Sequence, residues 1–456
     1  MTASVRSGYR WGSPGTGWER LSSADQRRVV ACGASNWQQI HDNVPSYNDI
    51  WRPARPVIMT ASAFAALHET SDQIGRLILQ SCQRRARTAG ELRRALGVAE
   101  GHIRLLDDTE PLSEQLLVSS RPDVFFSGGV PKFVEFNIDG ALGGAFDSDN
   151  LAANFDRCYR ADGITADTGL YPPPSAVDGR LRTVAGWLGS GDDRRVAMVM
   201  DWTVGHAGPE DPADFLDYLR PVVDRAATAG FELIPYWLHW LDIDDQQRLL
   251  VAGRPVAHVL RMFVPDTAPA SSGRDAIEAV VRAGNVRIFT SSATWLLSNK
   301  LTLAWLWQDL PELTEPDREL VRAHIPRTVL LTGDQRADAL ARRPELVLKP
   351  HDGSSGRDVL LGRDTDLQQW QAAVDRALDS GGFLIQDLVV DDLLPMEFID
   401  MATGEIVEHR VPCCYGPYLF GHQQCGGELR MGFPGGGSIM NVGHGALVNG
   451  FALLPD

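Results

Sequence analysis

The sequence predicts a mixed α/β fold with α+β elements, in which a parallel sheet is one part of a larger assembly. Three observations lead there. Between Arg195 and Phe289, strand-like apolar runs alternate with helical patterns. The segment from Ser120 to Asn137 reads as an antiparallel hairpin. An apolar run ending at Lys349 opens into a glycine-rich loop and a further apolar run.

The chain enters the fold through helices. Residues 20 to 120 carry mostly helical periodicity, clearest in Ala61 to Glu69 and Ile74 to Cys82. Lys132-Phe133-Val134-Glu135-Phe136-Asn137 then has strand alternation, so Glu135 and Asn137 point to one face while Val134 and Phe136 pack behind them. Upstream stand Asp123 and the apolar Val124-Phe125-Phe126, and Ser127-Gly128-Gly129 supplies a turn that places Asp123 alongside Glu135. Two carboxylates and an amide oxygen on one face suit magnesium, which takes oxygen ligands and keeps positions for phosphates. An ordinary half-exposed hairpin with its polar residues outward accounts for the same pattern.

A glycine-rich run, Asp139 to Ala145, and the connector Tyr171-Pro172-Pro173-Pro174 follow. Strand (Arg195 to Met200), helix (Ala213 to Ala229), strand (Phe231 to Pro235), a short apolar segment (Val256 to Leu260), helix (Asp275 to Ala283) and strand (Val286 to Phe289) imply a parallel sheet with crossover helices. Helical patterns return at Lys300 to Asp309 and Glu315 to His324. The strand Glu345 to Pro350, the loop His351 to Arg357 and a second strand, Asp358 to Gly362, form a flap suited to closing backbone amides over phosphates, with Lys349 as a point charge. It is not a Walker loop, because no Gly-Lys-Ser or Gly-Lys-Thr closes it. The run Gly382 to Leu388 reads either as the lining of an adenine pocket or as a plain edge strand. The glycine-rich C-terminal stretch either wraps a site or forms turns.

Composition narrows the function classes. A chain of 456 residues exceeds one small core and predicts about two to four domains. A net charge of −16 disfavours nonspecific nucleic-acid binding, and suits either a cationic substrate or simple solubility. No apolar run reaches the roughly 20 residues of a membrane span, and the opening residues lack a signal-peptide pattern. Six cysteines without metal-ligand spacing predict reduced thiols and a cytoplasmic location.

Taken together, Arg121-x-Asp123, Glu135-x-Asn137, Leu297-Ser298-Asn299-Lys300, Lys349-Pro350 with its glycine loop, Gln386 and Arg430 resemble the ATP-grasp ligases. More narrowly, they resemble the synthetase domain of glutathionylspermidine synthase and its circularly permuted relatives, because the lysine flap follows the metal-binding hairpin. The resemblance implies a permuted ATP-grasp fold with an additional parallel-sheet α/β domain. It implies four parts: residues 1–170, N-terminal helices and metal-binding hairpin; 171–296, a Rossmann-like α/β domain; 297–390, the nucleotide-binding lysines and flap; 391–456, a return to the core. It implies ATP and Mg2+ as cofactors, with Asp123, Glu135 and Asn137 as metal ligands. Lys300, Lys349 and the loop Gly353, Ser354, Ser355 and Gly356 would hold phosphates, and Gln386, Asp387 and Leu388 would meet the adenine edge. Arg121 and Arg430 would be the catalytic cations. Two departures are visible. Pro122 replaces an aromatic residue, and the run after Asn137 lacks the family's hydroxyl-bearing turn.

The chemistry implied is ATP-dependent joining of a small-molecule carboxylate to an amine through an acyl phosphate, releasing ADP and phosphate. His206, His351, His422 and His444 are candidates to accept the amine proton, or are histidines without a role. A phosphoryl transferase that stops at a phosphorylated product, and a nucleotide-binding regulator without turnover, are the competing readings. Oligomeric state is not readable.

Overall fold

The computed structural model describes residues 16–42, 44, 48–189, 193–201, 212–353, 356–437 and 440–456. The two helical runs near residues 61 and 82 are one helix, α1 (Ala61–Arg85). Thr60 caps it, its side chain accepting a hydrogen bond from the Ala63 amide at 3.2 Å. Phe64, Leu67, Ile74, Leu77 and Ile78 recur on one buried face, the spacing the sequence carried. Thr60→Ala is expected to cost about 1 kcal/mol, read as a lower urea midpoint at unchanged slope.

Helix α1 packs on the hairpin formed by β1 (Ser119–Ser127) and β2 (Val130–Ile138). Gly128 and Gly129 both take positive φ, which closes a two-residue turn. The register sets Asp123 opposite Glu135 and Arg121 opposite Asn137. One expectation fails here. Asp123 pairs with Glu135 but Val124 pairs with Phe133, so Val134 is an extra residue on β2, a bulge. Pro131, Phe133, Phe136 and Ile138 are therefore the buried positions, and Val134 does not pack behind Glu135.

A four-stranded parallel sheet follows, of β3 (Arg195–Met200), β4 (Glu232–Trp237), β5 (His258–Met262) and β6 (Arg287–Phe289), in the order β6-β5-β3-β4. The short apolar segment near Leu260 is thus a full strand. The expected helix from 213 to 229 is two helices, Pro212–Tyr218 and Arg220–Thr228, because Pro221 starts the second and cannot continue the first.

The third sheet is antiparallel, made of β7 (Thr328–Leu330), β8 (Leu346–Pro350), β9 (Leu360–Leu361) and β10 (Phe383–Asp387), in the order β7-β10-β8-β9. Strand β10 is interior, so the edge-strand reading of Gly382 to Leu388 is wrong. The flap's second strand is only β9, since Asp358 adopts a left-handed φ of 58° where the strand was expected to begin. Finally β11 (Cys413–Phe420), β12 (Gln423–Met431) and β13 (Leu447–Asn449) join the hairpin in one sheet ordered β13-β12-β11-β1-β2. The C-terminal stretch therefore builds the sheet that carries Asp123 and Glu135.

Just after β2, Asp139 fastens the hairpin to the parallel sheet. Its Oδ2 accepts from Arg261 Nη2 at 2.7 Å and its Oδ1 from the Ala141 amide at 2.7 Å, with both ionic side chains buried. At Gly140 a Cβ would lie 3.0 Å from the Arg261 carbonyl and 3.1 Å from the Thr290 nitrogen, so backbone approaches backbone closely there.

Candidate functional site

One cavity of about 1030 Å³ is lined by every described residue that the sequence proposed as a metal ligand, nucleotide contact or catalytic arginine. Arg121, Asp123, Glu135 and Asn137 enter it from the hairpin, and Arg430 from β12. Lys300 precedes the helix Leu301–Gln308, while Lys349, Gln386, Asp387 and Leu388 come from the third sheet, with Gly353 and Gly356 from the flap loop. Ser354, Ser355 and His206 lie outside the described residues, as does the side chain of His444.

Charges alternate across the floor. Arg430 Nη2 lies 2.5 Å from Asp123 Oδ1, and Asn137 Nδ2 donates to the same oxygen at 3.3 Å. Lys300 Nζ lies 2.7 Å from Glu135 Oε1 and also donates to the Gly353 carbonyl. Lys349 Nζ donates to the Val134 carbonyl at 2.8 Å and to Gln386 Oε1 at 2.9 Å. The bulge in β2 thus supplies a carbonyl that regular pairing would not present. The run before Lys300 docks on the end of β2, where Ser298 Oγ accepts from the Ile138 amide at 2.7 Å and donates to its carbonyl at 3.0 Å. The Lys300 amide donates to the His351 carbonyl at 2.8 Å, which ties that lysine to the start of the flap loop.

No family model matches the chain, and no curated protein sequence matches it. Among solved structures, a glutathione synthetase-like effector from Globodera pallida superposes with a TM-score of 0.57 at 12% identity, covering 94% of this chain and 97% of the other. The fold is glutathione synthetase-like. A putative gamma-glutamylcysteine synthetase from Methylobacillus flagellatus matches with a TM-score of 0.43 at 11% identity, over 86% of this chain and 87% of that one. An ATP-grasp-like fold is what the sequence motifs implied, and the cavity of this glutathione synthetase-like fold is where those motifs meet.

Burial and charge set the protonation states. Burial pushes the Lys349 ammonium down to about 7, with the neighbouring Lys300 adding to the shift against Glu135 and Asp123. Burial alone would raise the Asp123 carboxyl, but Arg430 and Arg121 outweigh it and hold it below the usual range. Despite burial, Arg430 and Arg121 are held above the ordinary arginine value, chiefly by Asp123 and Glu428 respectively. His351 is lowered by burial, and its Nδ1 lies 3.0 Å from Asn299 Oδ1.

The donors on the hairpin fit a hard divalent ion. Asp123 and Glu135 face each other across the strands, and Asn137 adds an amide oxygen on the same face. Among the described residues no three His, Cys, Asp or Glu side chains converge, so the set is two carboxylates and one amide, an open set that other oxygens must complete.

Several expectations need correction. The Gln386 side chain bonds within its own sheet: its oxygen accepts from Lys349 and its Nε2 donates to Thr328 Oγ1 at 2.8 Å. The Asp387 and Leu388 amides are taken by the Arg327 and Glu345 carbonyls, and Asp387 Oδ1 by Arg342, so this segment presents the apolar Leu388, Val389 and Val390 instead. His422 pairs with Asp72 at 2.8 Å and does not line the cavity. The sequence reading missed Glu428, buried on β12 and ion-paired to Arg121. Its signal was present as Glu428-Leu429-Arg430, a two-residue spacing that puts both charges on one strand face.

Proposed function

We propose that this chain is an ATP-dependent carboxylate-amine ligase that forms an amide through an acyl phosphate and releases ADP and phosphate. The observation that carries the proposal is the single cavity in which hard oxygen donors, two lysines and two arginines converge beside a glycine loop. The glutathione synthetase-like fold supports the same reading. In it, Asp123, Glu135 and Asn137 hold Mg2+, which when bound offsets phosphate charge. Lys300, Lys349 and the loop from Gly353 to Gly356, with Ser354 and Ser355, hold the triphosphate of ATP, and the apolar side chains of Leu388 to Val390 receive the base. Arg121 and Arg430 stabilise charge on the transferring phosphoryl group and on the tetrahedral oxyanion. No nucleophilic side chain is needed, since positioning and electrostatics carry such a reaction.

Within this reading the chain has the permuted order of the glutathionylspermidine synthase relatives and the four-part division at residues 170, 296 and 390. The substrates are a small carboxylic acid, amino acid or peptide and an amine, in small-molecule biosynthesis. A cytoplasmic location is supported by six buried free thiols. No described helix is long and apolar enough to cross a membrane.

Lys349 gives a pH-dependent signature. With its ammonium near 7, it is mostly neutral at pH 8, and phosphate oxygens favour the charged form. Binding of MgADP at pH 8 is therefore expected to take up a large part of one proton, measured by calorimetry in buffers of different ionisation enthalpy. Lys349→Met is expected to abolish the uptake.

The function is tested by presenting ATP and Mg2+ with pools of carboxylates and amines, reading nucleotide products and product mass together. ADP and phosphate released only when both partners are present is the expected result. AMP and pyrophosphate would overturn the acyl-phosphate route, and a stable phosphorylated product formed without amine would favour phosphoryl transfer.

A further inference from the structure

Two arginines cross the same strand in opposite directions. On the cavity face of the sheet, β12 carries Glu428 and Arg430 and β1 carries Arg121 and Asp123, with β11 between them. Arg121 reaches over β11 to Glu428, and Arg430 reaches back over it to Asp123. The crossing needs a gap, and Gly416 of β11, paired with Glu428, provides it. A Cβ at Gly416 would lie 2.9 Å from Arg121 Cδ and 3.1 Å from its Cγ. Glu428 also lies 3.5 Å from Arg430 Nε, so one carboxylate serves both guanidiniums. Its side chain is only 8% exposed, and Gly144 leaves room for it, since a Cβ there would sit 2.3 Å from Glu428 Oε1.

A buried carboxylate is costly unless paired, and here it has two cations. The Nε atoms of Arg121 and Arg430 are buried without a hydrogen-bond partner among the described residues. Glu428 therefore fixes where the two guanidiniums stand without exhausting their donors. It also brings the quartet of Arg121, Asp123, Glu428 and Arg430 to zero net charge, which keeps the two cations from repelling each other.

We propose that Glu428 is a positioning residue that holds Arg121 through the slot above Gly416, so that Arg121 meets the anionic reacting group of the proposed ligase reaction. The inference rests on that reading for its consequence but not for its geometry, and the test separates the two. Phenylglyoxal labels a guanidinium it can reach, and Glu428 holds the Arg121 side chain at 13% exposure, so labelling of the Arg121 peptide read by mass spectrometry reports the pairing without turnover. Glu428→Gln is expected to raise the Arg121 labelling rate several-fold. Glu428→Asp keeps most of the protection. Gly416→Ala, which displaces Arg121 while retaining Glu428, also raises the rate. Equal rates in wild type and Glu428→Gln, with both folded by circular dichroism, would overturn the proposal.

The kinetic arm uses the ligase assay with Arg121→Met, Glu428→Gln and the double variant. If Glu428 acts chiefly through Arg121, Glu428→Gln lowers kcat about 100-fold in the wild-type background and far less beside Arg121→Met, where only its contact with Arg430 is left. Additive losses would contradict positioning. Changed labelling with no ATP-dependent ligation under any condition would leave the pairing standing and sink the functional reading instead.

Discussion

Glu135→Ala is expected to lower ligase turnover by about 10³-fold or more while the protein stays folded. Glu135 lies on the cavity face of β2, its side chain 26% exposed, and its described partner is Lys300. The apolar contacts that hold the hairpin belong to Phe133, Phe136 and Ile138 on the other face. Removing the carboxylate therefore takes one of two anionic donors from the proposed metal site without opening the core. Lys300 keeps its contact with the Gly353 carbonyl. Glu135→Gln preserves shape and loses charge, so a comparable loss in that variant assigns the effect to the carboxylate. An unchanged rate in either variant would contradict the site assignment.

Asp139→Ala is expected to destabilise the fold by about 3 to 5 kcal/mol. Arg261 is 1% exposed, and its Nη2 would lose the carboxylate that pairs with it, leaving a buried cation with the Phe263 carbonyl on Nη1. The Ala141 amide would lose its acceptor as well. Because the penalty comes from the orphaned charge, the double variant Asp139→Ala with Arg261→Met is expected to recover much of the loss. Urea unfolding of the two single variants and the double variant measures this. A double variant no more stable than Asp139→Ala would show that the pair is not the source.

What was legible in the sequence was local. Alternation along β2 and the Gly128-Gly129 turn were enough to place Asp123 opposite Glu135, and alternating strands and helices were enough for the parallel sheet. The bulge at Val134 left no such trace, because an extra residue in a strand needs no special side chain, and its result is a carbonyl aimed at Lys349. Gln386 lines the cavity, but its bonds to Lys349 and Thr328 were not legible, since they are decided by β7 and β8 on either side of it. Pairings across long separations, Asp139 with Arg261 and Arg121 with Glu428, depend on which strands become neighbours. A single strand's pattern does not contain that information.

An acyl phosphate can be detected by following an oxygen atom. With the acid and amine found by screening, the acid carboxylate is labelled with 18O and the reaction is run with ATP and Mg2+. An acyl phosphate transfers one labelled oxygen to inorganic phosphate when the amine attacks, so label is expected in phosphate and none in the nucleotide. Label in AMP, or unlabelled phosphate alongside amide product, would contradict the acyl-phosphate route.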